Sequence, residues 1–277
     1  MAHKDGFFTD ARGGRIFWQM WLPEGEPRAV LVIVHGLGEH GGRYGNLVNH
    51  FVPRGYAVFS HDHPGHGRSD GRRVYVRRFA DLTNVLDWHL KSIQAQHPDA
   101  PMFLIGHSFG ALVAATFLLD RQAAFAGAVL SGPLVKVPDH VSPLTVTVSR
   151  ILSTLVPKAG LVALDPSGVS RDPSVVRAYL DDPLVYNGKT TARLGCEMLK
   201  AMQKVTAEAR RITLPLLILH GGEDPLVDLA ASHMLHERLG SVDKELVVYD
   251  GLYHEVYNEP EHPAVLADVE AWISERV

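Results

Sequence analysis

The sequence predicts an α/β fold, a mainly parallel sheet with helices on both faces. Three observations point there. Strand-sized apolar runs recur along the chain, and helix-length segments with apolar residues at helical spacing separate them. One run ends in a glycine-flanked turn that opens a helix.

Residues 15–22 alternate apolar and polar, as an early antiparallel strand would. Residues 29–34, AVLVIV, are apolar throughout, the pattern of a parallel strand buried on both faces. Residues 56–60, 102–105, 127–130, 216–219 and 245–249 read the same way. Helical spacing runs over 77–96, 111–120, 226–239 and 263–275. The alternation breaks between Leu134 and Val205, too long a stretch for one loop. The expected organisation is therefore a core of residues 1–133 and 206–277, interrupted by a helical cap insertion over 134–205. Within that insertion, residues 141–164 are apolar and weakly charged.

Composition narrows the function classes. With 27 Lys+Arg against 31 Asp+Glu, the net charge of -4 has the wrong sign for a nucleic-acid binder. The local cluster Arg72, Arg73, Arg77 and Arg78 reads as a solvated face. Cys196 is the only cysteine, so no intramolecular disulfide forms. Residues 1–10 lack a signal-peptide apolar run, and the longest apolar runs are far too short to span a bilayer. These features predict a cytoplasmic protein, at most peripheral at membranes.

The segment Phe103-Leu-Ile-Gly-His-Ser-Phe-Gly110 reads as strand, sharp turn and helix. Gly106-x-Ser108-x-Gly110 has the nucleophile-elbow pattern. A serine on so tight a turn crowds its neighbours, and glycines two positions to either side avoid the clash. Ser108 is the candidate nucleophile, placed at a helix N-terminus where developing negative charge is favoured.

A serine hydroxyl needs a base, and the base needs a carboxylate to orient it. In the α/β-hydrolase fold the acid and then the histidine follow the serine in the chain. Asp224 lies just past the 216–219 strand, with Glu223 and Asp228 as nearby but less well placed alternatives. Of the histidines after Ser108 (His140, His220, His233, His236, His254 and His262), only His254 sits in a loop directly after a late strand. The expected oxyanion donors are the backbone N–H groups of Phe109, next to the nucleophile, and of Leu37, in the glycine-rich loop after residues 29–34.

With these residues in place, the chain resembles the monoacylglycerol lipase family, which overlaps with the lysophospholipase-like hydrolases. The matching blocks are His35-Gly-Leu-Gly-Glu-His40 with Arg43-Tyr44, His61-Asp-His-Pro-Gly-His-Gly-Arg-Ser69, Gly106-His-Ser-Phe-Gly110, Ser170-Arg171, Asp182-Pro-Leu184 and Tyr253-His254. The resemblance implies an α/β-hydrolase that cleaves monoglycerides to fatty acid and glycerol without a cofactor. It also implies a mobile apolar cap that touches membranes, and a glycerol site built from Glu39, His107 and Tyr179. Two departures, Phe109 for the usual Met and Leu37 for a smaller residue, imply a narrower site. The alternative readings are a general carboxylesterase or lysophospholipase, and a non-catalytic ligand-binding relative, against which the intact triad argues. His61, His63 and His66 have spacing that invites a metal, but they sit in a Pro/Gly-rich turn without a second ligand cluster, and no metal is expected.

Overall fold

A computed structural model of the protein describes residues 2–137 and 151–277. Its strands are β1 (Ala2–Thr9), β2 (Arg15–Leu22), β3 (Ala29–Val34), β4 (Tyr56–His61), β5 (Met102–His107), β6 (Gly127–Ser131), β7 (Gly160–Val162), β8 (Thr190–Thr191), β9 (Leu216–Gly221) and β10 (Lys244–Tyr249). Its α-helices with both ends among the described residues are α1 (Gly45–Phe51), α2 (Ala80–Gln96), α3 (Phe109–Arg121), α4 (Pro173–Asp181), α5 (Ala192–Glu208), α6 (Ala230–Arg238) and α7 (His262–Ser274), and residues 151–155 are also helical.

The main sheet has the order β1-β2-β4-β3-β5-β6-β9-β10. Only the β1/β2 and β2/β4 pairs are antiparallel; the others are parallel. The expected apolar strands all form. β1 carries no such pattern because it is an edge strand, largely exposed and paired only with β2.

Strand periodicity builds two cores. Ala29, Leu31 and Ile33 of β3 pack with Phe51 of α1 and Val269 of α7 on one face. Val30, Val32 and Val34 face the other way, toward Leu86 of α2, Leu112 of α3 and Leu235 of α6. Because β3 lies between β4 and β5, the chain crosses from β3 to β4 on one side and then returns past β3 to β5 on the other. Loops part there at the carboxyl ends of the strands, where open α/β sheets form their ligand crevices.

Two helices start later than their apolar spacing suggests, because polar groups hold the backbone first. The Phe79 N–H donates to Glu197, and α2 begins only at Ala80. Asp224 takes the N–H groups of Leu226 and Val227, Asp228 takes that of Ala230, and α6 begins there.

The insertion carries α4 and the small β7/β8 sheet. The expected boundary at 205/206 falls inside α5, whose Leu194, Met198, Met202 and Val205 join the same core as α3. Much of the apolar 141–164 stretch, like His140, lies outside the described residues.

Candidate active site

β5 ends at His107 and α3 begins at Phe109, leaving Ser108 in the turn at φ 54° and ψ −117°. A non-glycine residue at such a φ costs roughly 1–3 kcal/mol and persists only where its surroundings enforce it. Here the Ser108 N–H donates to the Ser131 carbonyl at 2.9 Å, and the Ser108 carbonyl accepts from the N–H groups of Ala111 and Leu112. Glycine is required beside it. A Cβ on Gly110 would lie 2.0 Å from the Val34 carbonyl oxygen, and one on Gly106 would lie 2.8 Å from Ala111 Cα.

Asp224 and His254 follow β9 and β10 and meet at 2.6 Å, Oδ2 to Nδ1. The other Asp224 oxygen accepts the N–H groups of Leu226 at 2.8 Å and Val227 at 3.0 Å. Burial raises the pKa of this carboxyl. The bond from His254, its charge and the two backbone N–H groups outweigh that, and the group sits below the usual carboxylate range. Glu223 is exposed and Asp228 is spent on Ala230. His220 approaches Asp224 to 3.4 Å, but its nitrogens bond Ser232 Oγ and the Val227 carbonyl. It therefore buttresses the acid's loop. His233 and His236 lie on α6, and His262 opens α7.

Gly36, Leu37, Glu39, His107, Ser108, Leu164, Val169, Tyr179, His254 and Glu255 line one cavity. Phe109 is the first residue of α3, so its N–H is among those without an intrahelical acceptor. Its ring points into the core, 5.7 Å from the His63 ring and 6.1 Å from that of Phe79. Of the two departures, only Leu37 is therefore among the residues that line the cavity.

The expected glycerol-site residues have distinct surroundings. His107 Nδ1 pairs with Ser131 Oγ at 2.9 Å, and burial together with the nearby charge of His254 lowers its pKa to about 4. The Tyr179 phenol, raised by burial, lies beneath Arg43 with 4.6 Å from the guanidinium carbon to the ring centre. Glu39 is already engaged: Oε1 accepts from the Gly36 N–H at 2.6 Å and the Tyr44 hydroxyl at 2.8 Å, and Oε2 from Arg43 at 2.7 Å.

Reading the sequence assigned no role to Arg43, Tyr44, Arg171, Glu255 or Glu259. Arg43 donates two bonds to Glu255, at 2.6 and 2.8 Å. The fully buried Glu259 accepts the Tyr253 N–H at 3.0 Å and the Arg171 Nε–H at 3.1 Å. The available signs were that Arg43, Tyr44 and Arg171 fall in blocks that carry the resemblance, and that Glu255 and Glu259 place charge close after His254.

His61, His63 and His66 are buried and belong to a packed histidine cluster. The His63 N–H donates to His35 Nε2 at 2.9 Å, and His63 Nε2 bonds the His35 carbonyl at 3.0 Å. Desolvation holds all three neutral by lowering their pKa values. Among the described residues, no group of three His, Cys, Asp or Glu is arranged to hold a metal ion.

Sheet order and the strained serine turn place the molecule in the α/β-hydrolase class. Residues 25–261 match the family described as serine aminopeptidase, S33. A monoacylglycerol lipase of Mycolicibacterium smegmatis is 40% identical over 96% of this chain and 95% of its own. The monoglyceride lipase of Mus musculus is 37% identical over 97% and 90%. The crystal structure of a Paleococcus ferrophilus monoacylglycerol lipase superimposes with a TM-score of 0.83 at 29% identity, covering 100% of both chains. The chain belongs to the monoacylglycerol lipase family and is a carboxylic-ester hydrolase.

Proposed function

We propose that this protein hydrolyses monoacylglycerols to fatty acid and glycerol through an acyl-enzyme formed on Ser108. The observation that carries this reading is the Asp224–His254 pair at 2.6 Å, whose histidine lines the same cavity as Ser108 and Leu37. His254 takes the Ser108 proton as Oγ attacks the ester carbonyl, and Asp224 stabilises the imidazolium. The oxyanion is held by the N–H groups of Leu37 and Phe109. His254 then gives its proton to the leaving glycerol oxygen. Water, deprotonated by His254, attacks the acyl-enzyme and frees the fatty acid and Ser108. Protein groups and water suffice for every step.

His107 and Tyr179 supply the polar lining for the glycerol end, with Glu39 behind them. The described part of the insertion that precedes α5, residues 151–191, acts as the cap, and Leu164, Val169 and Tyr179 are its contribution to the cavity wall. No helix among the described residues is long and apolar enough to cross a membrane. Access to lipid instead comes from peripheral contact through exposed cap residues such as Leu155 and Val162.

The test compares monoacylglycerols of increasing chain length with a lysophospholipid, a triglyceride and a short-chain aryl ester, using Ser108→Ala as control. A monoacylglycerol preference that Ser108→Ala abolishes is the expected result. Turnover of the aryl ester alone would reduce the protein to a general esterase. Full activity in a folded Ser108→Ala protein would overturn the mechanism.

A further inference from the structure

The loop that carries His254 and the loop that carries Leu37 are far apart in sequence, yet a buried chain of charges joins them. Glu255 is the residue after His254, and both its oxygens accept from Arg43, at 2.6 and 2.8 Å. Arg43 gives a further bond to Glu39 Oε2 at 2.7 Å. Glu39 Oε1 in turn takes the Gly36 N–H at 2.6 Å, one residue before Leu37. The side chains of Arg43, Glu39 and Glu255 are 9%, 5% and 6% exposed, so water competes little for these bonds. A guanidinium suits this place because its planar fork binds one carboxylate with two parallel bonds and keeps a donor for another.

The arrangement is costly unless it serves geometry. Two carboxylates share one cation in a desolvated site, and a buried ion pair is weak evidence of stability by itself. Glu39 Oε1 is filled, since the Tyr44 hydroxyl also donates to it at 2.8 Å, and Oε2 already accepts from Arg43. The polar chain runs from the base to the oxyanion loop and stops at the Gly36 amide.

We propose that Glu255 is a positioning residue for ester hydrolysis, acting through Arg43 and Glu39 to hold the Leu37 amide in register with His254. This rests on the roles given above to His254 and Leu37. Glu39 then belongs to the same tie and acts on the loop. Its effect falls on the transition state, because the oxyanion exists only there and small misplacements of the donor lower the rate without weakening ground-state binding.

The experiment measures kcat and KM of Glu255→Gln and Arg43→Lys on a monoacylglycerol and on a short-chain aryl ester. Affinity for phenylboronic acid, which forms a tetrahedral adduct on the serine, is measured beside them. Glu255→Gln keeps the shape but removes a charge and an acceptor; Arg43→Lys keeps the charge and loses the fork. The expected result is a kcat about 10- to 100-fold lower on both substrates, KM within about twofold, and boronate affinity weakened in parallel. Circular dichroism and Tm establish that each variant is folded, and either variant alone suffices for the reading. Adding Glu39→Gln to Glu255→Gln should cost little more than either change alone. Unchanged kcat in the folded variants, a rise in KM alone, or losses that multiply in the double variant would each overturn the tie. Ser108→Ala separates the two levels. If it is inactive while Glu255→Gln is fully active, only this inference fails; if it turns over normally, the site reading fails with it.

Discussion

Asp224 and His254 stand 30 residues apart in the chain and meet at 2.6 Å, with the acid's second oxygen pinned by the N–H groups of Leu226 and Val227. The carboxylate is aimed by its own backbone and has no freedom to turn away. A side chain held this way fixes which nitrogen of His254 carries the proton, and leaves Nε2 as the base in the mechanism proposed above.

Replacing that carboxylate should therefore cost rate and leave binding intact. Asp224→Asn is expected to lower kcat by about 10³- to 10⁴-fold with little change in KM, because the amide favours the wrong imidazole tautomer. Steady-state kinetics with a monoacylglycerol checks this, and a loss under tenfold would mean that another acid serves His254.

The serine turn has no room for a side chain at Gly110. Gly110→Ala places a Cβ 2.0 Å from the Val34 carbonyl oxygen and 2.4 Å from that of His35. Backbone on both sides cannot yield as a flexible side chain would, so a loss of about 3 kcal/mol of stability is expected. Chemical denaturation measures it, and a variant as stable as the parent would show that α3 moves away from β3 at little cost.

Acid should weaken the fold well above the carboxylate range. Burial lowers the pKa of His66 and His107 to about 4 and of His89 to about 3, while an unfolded chain takes up these protons near pH 6.5. The neutral native rings thus contribute fully above about pH 6.5, and that stability is lost as pH falls toward their folded values. Each should cost about 1 kcal/mol by pH 5.5. Urea midpoints between pH 7.5 and 5 should fall steadily, and His89→Gln should flatten the slope. Equal slopes in parent and variant would exclude His89 as a contributor.

The loop of His254 is also tied to the insertion, through Arg171 and Glu259. Glu259→Gln should lower kcat about tenfold, since the Tyr253 N–H beside His254 loses its charged acceptor. Kinetics and Tm together decide it; a fall in Tm with kcat intact would assign Glu259 to folding only.

Leu155 is 73% exposed and Val162 is 70% exposed. Large apolar side chains so placed suit contact with a lipid surface. Leu155→Asp should reduce co-flotation with phosphatidylcholine vesicles while activity on a dissolved aryl ester stays the same. Undiminished flotation of the variant would remove Leu155 from the contact.

Much of this molecule is legible before any coordinates. The strand at residues 29–34 announces itself as an unbroken apolar run, and Ser108 by the glycines two positions to either side, because each signal lies within a few neighbouring residues. The same holds for Asp224 and His254, each just past a strand end. β1 is not legible, since an edge strand with exposed residues has no apolar pattern to show. Nor is the run of α5 through residue 205 into the main core, because only packing against α3 shows which face is buried.

By itself the sequence determined the mainly parallel sheet, the serine turn and the chain order of Ser108, Asp224 and His254 at strand ends, all from local periodicity and turn chemistry. Tertiary structure alone decided that Arg43 and Glu255, 212 residues apart, share two hydrogen bonds, and that Glu39 holds the loop before Leu37 through the Gly36 N–H. It also decided that the Phe109 ring enters the core while Leu37 lines the cavity. The physical reason is burial. A charge in a loop reads as solvated until the fold removes its water, and only then does its partner, however distant in the chain, become a necessity.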